Sequence, residues 1–299
     1  MNQRLLVISP VRNEADHFER VARSMAAQTR PPDTWVVSDD GSTDGTLELI
    51  ERLAEEIPFM LARRTRAPEQ TPSGMDRLAQ GAAPRNFNAG LRSADWRSFT
   101  HIGKHDGDLE LPPHYCEQLL QEFESDPALG IAGGLRVELE RGRWRLERIP
   151  LDHHVYGAFK CYSRECFEAI GGVQERLGWD TIDETYARMH GFRTRSFGHL
   201  VCIHHRPWGT ADGTLRGRAR YGEAAYVLHY SLPWVTLRSL KMATARPRVV
   251  SGAVFLYGYL RAKVRRREQV EDDEFRAFIR RETRARLRAA VAPRRARSA

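Results

Sequence analysis

Short apolar runs alternate with helix-period segments through the first half of the chain. Leu5-Leu6-Val7-Ile8 is continuous, the pattern of a strand buried on both faces. Phe18, Val21 and Met25 then recur at i, i+3 and i+7, one face of a helix. Trp35-Val36-Val37 makes a second strand, and Leu47, Ile50 and Leu53 a second helix, with Ser42 and Thr43 as its candidate caps. This order predicts βαβ units on a parallel sheet. Residues 63–85 are polar and carry Pro68, Pro72 and Gly74, the composition of a loop. Beyond it the pattern predicts a helix over Asn86–Ala94 and strands at Phe99–Ile102, Leu129–Val137, Trp144–Ile149 and Leu200–Cys202. Ile182, Tyr186 and Met189 mark one more helix face, which Gly191 can end. After Trp208 the pattern becomes helical, basic and interrupted by prolines.

Composition narrows this picture. The 299 residues, 41% of them hydrophobic, suffice for one large core or two small ones. Cys116, Cys161, Cys166 and Cys202 follow no metal-binding spacing and read as reduced, partly buried thiols. No signal-peptide pattern opens the chain. Its longest apolar run, Val249–Leu260, falls short of the roughly 18 residues a spanning helix needs. The net charge of +8 is uneven. From Arg261 onward there are 14 Lys/Arg and 6 Asp/Glu, which accounts for all of it, and residues 1–260 are neutral. A neutral body with a basic end argues against a nucleic-acid partner and suits contact with an anionic surface.

Open parallel sheets bind ligands beyond the carboxyl ends of their strands, and each early strand here ends in polar residues. Pro10-Val11-Arg12-Asn13-Glu14 follows the first. Ser38-Asp39-Asp40-Gly41-Ser42-Thr43-Asp44-Gly45 follows the second, where paired carboxylates can read a base or ribose and an Asx turn with an N-cap accounts for the same residues. The third runs into Lys104-His105-Asp106-Gly107-Asp108, whose hard oxygen ligands suit Mg²⁺ or Mn²⁺; a solvated acidic turn is the plain alternative.

Together with Arg85-Asn86-Phe87-Asn88-Ala89-Gly90, these motifs resemble, in order and spacing, the family 2 inverting glycosyltransferases of GT-A fold over residues 4–206. The resemblance implies an α/β fold, a Rossmann-like mixed sheet flanked by helices, with a C-terminal helical extension. It implies a nucleotide-diphosphate sugar donor, in most cases of uridine, contacted by Pro10, Arg12, Asn13, Glu14, Asp39, Asp40, Arg85, Asn88, Asp106 and Gly107. It implies a divalent metal, Mg²⁺ or Mn²⁺, on Asp106 and Asp108, with His204 as third ligand. Gly107 stands where Ala is common, a departure expected to be harmless.

The family's base-bearing segment reads here Gly178-Trp179-Asp180-Thr181-Ile182-Asp183-Glu184, with Thr181 at an expected aspartate. Asp180 or Asp183 must then serve. Asp180, read as the N-cap of a helix starting near Thr181, is favoured as base, with Asp183 or Glu184 as its neighbour and Trp179 as an acceptor-stacking ring. Residues 206–220 resemble the family's loop over the donor phosphates. The expected organisation is a catalytic domain over 1–210, a helical region over 211–283 and a disordered basic tail over 284–299. The expected acceptor is a glycan or a lipid-linked sugar, and the expected location is cytoplasmic, peripheral on the inner face of the plasma membrane. Three rivals remain. A nucleotidyltransferase needs a glycine-rich phosphate loop after the first strand and a dinucleotide oxidoreductase needs G-x-G-x-x-G there; both are absent. A non-catalytic nucleotide-sugar binder or membrane scaffold keeps the fold without turnover.

Overall fold

A computed structural model describes residues 3–66, 81–140, 143–146, 154–206, 213–244 and 247–291. The chain forms two compact units, residues 1–207 and 208–299. The first is a mixed sheet between helices, as the sequence led us to expect. Its strands β1 (Leu5–Val11), β2 (Thr34–Asp40), β3 (Met60–Arg66), β4 (His101–His105), β5 (Leu109–Glu110), β6 (Leu129–Glu140), β8 (Phe159–Ser163) and β9 (Arg193–His204) lie in the order β3-β2-β1-β4-β8-β6-β9-β5, with β7 (Arg143–Leu146) paired to β6. β3, β2, β1 and β4 are parallel; β8 runs antiparallel to β4 and β6.

Alternation along β1 explains the layering. Leu5 and Val7 join Trp35 and Val37 on one face, against Phe18, Ala22 and Met25 of α1 (Ala15–Ala26), Ile50 and Leu53 of α2 (Thr46–Glu56) and Leu119 of α4 (Tyr115–Ser125). Leu6 and Ile8 face the other way, onto Phe87 and Leu91 of α3 (Ala82–Leu91), Phe167 of α5 (Arg164–Ala169) and Ala187 of α6 (Trp179–Met189). With α1 and α2 in one layer and α3 in the other, the border of β1 and β4 is the switch point, where a crevice opens at the strand ends. All four cysteines are buried and free.

Several boundaries differ from the sequence reading. β3 extends through Arg66 into the expected loop, because parallel backbone pairing of Ser38 and Asp39 with Arg63 and Arg64 is indifferent to side-chain polarity, and charge on an edge strand opposes further pairing. Residues 67–80 and 147–149 of the expected loop and strand lie outside the described residues. α3 starts four residues early, capped by Gly81 at φ 61°, and β4 ends three residues late. The cap of α2 is Gly45, at φ 89°, not Ser42 or Thr43.

The second unit contains α7 (Thr214–Val227), α8 (Leu232–Met242), α9 (Val250–Val264) and α10 (Asp273–Val291). α7 and α9 cross at backbone contact: a Cβ on Gly222 would strike the Phe255 carbonyl, and one on Gly258 the Ala219 carbonyl. Residues 214–220 are helical where a phosphate loop was expected; 207–212 lie outside the described residues. α10 likewise continues through residues 284–291, expected as disordered tail. Arg, Ala and Leu are strong helix formers, Phe275, Ile279 and Thr283 bury one face, and Glu282 pairs with Arg286 one turn on.

Candidate active site

The first two strand ends are tied to each other. Asn13 leaves β1 at φ 53°, a left-handed conformation asparagine tolerates. Its backbone N–H donates to Ser42 Oγ and its Oδ1 accepts from the Thr43 N–H, both at 2.9 Å. The Glu14 N–H donates to Thr46 Oγ1 at 2.8 Å. Asp39 is buried and accepts from the Gly41 and Ser42 N–H groups at 3.0 and 3.1 Å and from the Ser42 hydroxyl. The Asx turn therefore does use the Asp39 carboxylate. Asp40 lies 3.5 Å from the Arg66 guanidinium. Pro10, Arg12 and Arg85 are half-buried. Asn88 is turned elsewhere: it donates to the Val173 carbonyl and to Glu175, holding the segment before α6. Its neighbour Asn86, which the sequence reading passed over, clamps the site by donating to the Ser38 carbonyl and accepting from Thr65 Oγ1, both at 2.7 Å.

The third strand end is more enclosed than a solvated turn: Asp108 is buried and Asp106 half-buried. His105 is fully buried, and burial lowers its pKa to about 4, keeping it neutral. It donates from Nε2 to the Leu109 carbonyl at 2.7 Å, which leaves Nδ1 to accept from Ser9 Oγ at 3.2 Å. The turn it supports presents Asp106 and Asp108. Gly107 between them sits in close quarters: an added Cβ would lie 2.7 Å from Val11 Cγ1 and 3.3 Å from Glu14 Cγ, so the Val11 side chain would have to shift. Glycine, where Ala is common, fits the room that Val11 and Glu14 leave.

Three carboxylates crowd this turn, each beside its own cation. Glu14 pairs with Arg206 at 2.7 Å, Asp106 with Lys104, and Asp108 with His204 Nε2 at 3.4 Å. Burial, then the charge of Asp108, lifts the Glu14 pKa to about 8 in spite of Arg206. Burial opposes charge on His204, yet bonds to Asp108 and to Glu138 Oε1 (3.0 Å from Nδ1) raise it to about 9. Arg136 stands behind Glu138 at 3.3 Å. Neither Arg136 nor Glu138 was singled out from sequence; their i, i+2 spacing on a strand was the available signal. His205 turns away, to Glu110 at 2.7 Å and into a stack with His17.

Among the described residues no three His, Cys, Asp or Glu side chains can cage a metal alone. The donor set fits a hard cation that keeps coordination positions for phosphate oxygens, with Asp106 and Asp108 as ligands and His204 oriented by Glu138. A cation there would also relieve the repulsion that raises Glu14.

This electrostatic balance has a measurable consequence. The Glu14 carboxyl, ordinarily near 4.5, titrates at about 8 here, so its burial penalises folding increasingly as pH rises through that interval. His204 rises from 6.5 to about 9, so its contribution is full below 6.5 and lost as pH passes 9. Both act in one direction. The melting temperature without divalent cation should fall by several degrees between pH 6.5 and 9, and less steeply in His204→Gln. A profile that rises over this interval contradicts the pairing.

The segment at α6 is arranged differently from expectation. Gly178, at φ 84°, is the cap, so Asp180 is not the N-cap but lies in the first turn, half-buried. An anion is stabilised there by the helix N-terminus. Asp183 and Glu184 are buried and committed to Lys160, at 3.0 and 3.1 Å. Tyr162 donates to Asp183 at 2.6 Å, and the Val155 N–H to Glu184 at 2.8 Å. Lys160 also donates to the Asp180 carbonyl at 2.6 Å, fixing that turn. The Trp179 ring has protein partners: the ammonium groups of Lys104 and Lys160 lie 5.3 and 5.4 Å from its centre, and Gly157 packs on it. Lys104 and Lys160 were missed from sequence, although a lysine inside an apolar strand, as in His101-Ile102-Gly103-Lys104, is itself a sign of a buried ion pair.

Comparison with known proteins bears on the family and the fold. Residues 6–172 match the family described as Glycosyl transferase family 2. The succinoglycan biosynthesis protein ExoA of Rhizobium meliloti (strain 1021) is 30% identical over 118 residues, 39% of this chain and 32% of that protein. The chain spans about a third of the length of the curated relatives it matches. Among solved structures, the mannosyltransferase PcManGT from Pyrobaculum calidifontis, in complex with GDP-Man and Mn²⁺, shares the fold with a TM-score of 0.56 at 18% identity, over 97% of this chain and 81% of that one. S. aureus TarS 1-349 in complex with UDP-GlcNAc does so with a TM-score of 0.53 at 14% identity, over 92% and 78%.

Proposed function

Because the chain belongs to glycosyl transferase family 2, we propose that it moves a sugar from a nucleotide-diphosphate donor, a UDP-sugar, to an acceptor hydroxyl with inversion. One observation carries this reading. Lys104 joins Asp106 to the Gly157 carbonyl, and Gly157 packs against Trp179 and the Asp180 Cβ. The acidic turn and the first turn of α6, which carries Asp180, are thus bridged by a single residue, a juxtaposition that suits a displacement with a leaving group on one side and a base on the other.

In the proposed step the acceptor oxygen bonds to the anomeric carbon while the bond from that carbon to the diphosphate breaks. Asp180 takes the hydroxyl proton, and the diphosphate leaves with the electron pair. A divalent cation on Asp106 and Asp108, beside His204, would supply charge against that leaving group. In this reading Asn13 and the turn at Asp39 would receive the nucleoside, and Arg12 and Arg85 would meet the donor. Asp183 and Glu184 hold Lys160 and thereby the position of Asp180. The acceptor in this reading is a glycan or a lipid-linked sugar, in line with the polysaccharide named for ExoA.

The nucleotide sugars carried by PcManGT and TarS guide the test. In a panel of UDP- and GDP-sugars with Mn²⁺, one UDP-sugar should raise the melting temperature by several degrees, since a ligand at 100 times its Kd stabilises by about 2.7 kcal/mol. No shift with any donor refutes the reading. A shift without turnover on any acceptor leaves a binding protein instead.

A further inference from the structure

α9 is largely apolar up to Leu260, with Arg261 and Lys263 in its last turn, and only one side of it is packed. Phe255, Tyr259 and Ala262 are buried within the second unit, with Gly252 against α8 and Gly258 against α7. On the opposite side Val250, Ala253, Tyr257, Leu260 and Val264 recur at spacings of 3, 4, 3 and 4, one continuous stripe, and every one is exposed. Val264 is 82% and Tyr257 57% exposed. The turn from α8 adds Val249, 70% exposed at φ 63°, a conformation that β-branched residues avoid, and α8 itself adds Leu240 at 65%. A stripe of this length left in water marks an interaction surface.

Charge identifies the occupant. From Leu232 to Arg267 the sequence has nine Lys/Arg and no Asp/Glu. Lys241, Arg248, Lys263, Arg265 and Arg266 are exposed. A second copy of this chain would bring the same cations face to face, with no acidic residue on either hairpin to pair them. Nucleic acid would satisfy the cations but leave the Val and Leu side chains without a partner. An anionic lipid surface satisfies both, headgroups taking the cations and the acyl boundary the apolar stripe.

We propose that the α8–α9 hairpin lies in the plane of an anionic membrane with the Val250–Val264 stripe immersed. It does not cross: α9 has 15 residues, about 22 Å of helix against the roughly 30 Å of a bilayer core, and among the described residues no helix is long and apolar enough to span. Phe255 and Tyr259 are core residues, and Tyr259 donates to the Tyr230 carbonyl, whereas Tyr257 faces out. Trp234 is half-buried.

The test is flotation of the full chain with phosphatidylcholine vesicles, with and without phosphatidylglycerol. The protein should float with the anionic vesicles at low salt and several-fold less at high salt, as screening demands. Tyr257→Glu with Val264→Glu, both exposed and so harmless to the fold, should weaken flotation about tenfold or more while leaving the thermal shift with a nucleotide sugar unchanged. That second readout separates failure of this surface from failure of the transferase reading. Wild-type protein that stays out of anionic vesicles at low salt overturns the proposal. So does a wild-type dimer that the double variant turns into a monomer, because the stripe would then be an interface between copies.

Discussion

Asp180→Asn should lower turnover by about 10²-fold or more, the scale of a lost general base, with donor affinity near that of the wild type. Asp180 is the one carboxylate of the Asp180–Glu184 segment that the protein has not committed to a buried partner: Lys160 takes its backbone carbonyl, while the side chains of Asp183 and Glu184 hold the ammonium. Asn keeps the size and the place in the first turn and removes the basic oxygen. Asp183→Asn should fail in another way. It leaves a buried ammonium with one partner fewer, at a cost on the order of 3 kcal/mol, so its deficit should appear first in the melting temperature. Single-turnover rates and melting curves of the two variants decide the assignment. If Asp183→Asn melts like the wild type and loses turnover while Asp180→Asn keeps it, the base is Asp183.

Asp108→Asn should abolish the part of donor affinity that depends on Mn²⁺. The loss should exceed the ~10–100-fold typical of residues that merely orient a ligand. Asn is the apt replacement because Asp108 is buried against His204, contrary to the exposed turn its sequence suggested, and alanine would leave a gap. His204 keeps Glu138 in the variant, so the strand-end architecture survives. Removing one of three crowded carboxylates should also ease the ionisation of Glu14, whose second cause of elevation is Asp108. Calorimetry of UDP with and without Mn²⁺ provides the check: metal-free affinity should be unchanged and the metal-dependent gain lost. An undiminished gain would remove Asp108 from the metal site.

The sequence by itself determined the layers and the place of the crevice. The Leu5–Ile8 and Trp35–Val37 runs are buried on both faces, and the residues that follow such runs have nowhere to go but the sheet's carboxyl edge. The motifs at Pro10–Glu14, Asp39–Asp40 and Asp106–Asp108 were legible for that reason, since each is local and contiguous. What tertiary structure decided is which of these groups are already spent. Asp39 caps its own turn, Asn88 serves the segment before α6, and Asp183 and Glu184 belong to a lysine more than twenty residues earlier. Local pattern says nothing of Lys160 meeting Asp183, or of Glu138 meeting His204 across 66 residues, because a buried charge is placed by the partner that offsets its desolvation and that partner comes from another strand. The same holds for α9, whose apolar content was plain in the sequence. Only its packing against Gly222 and Ser239 settled which side is core and which stripe remains exposed.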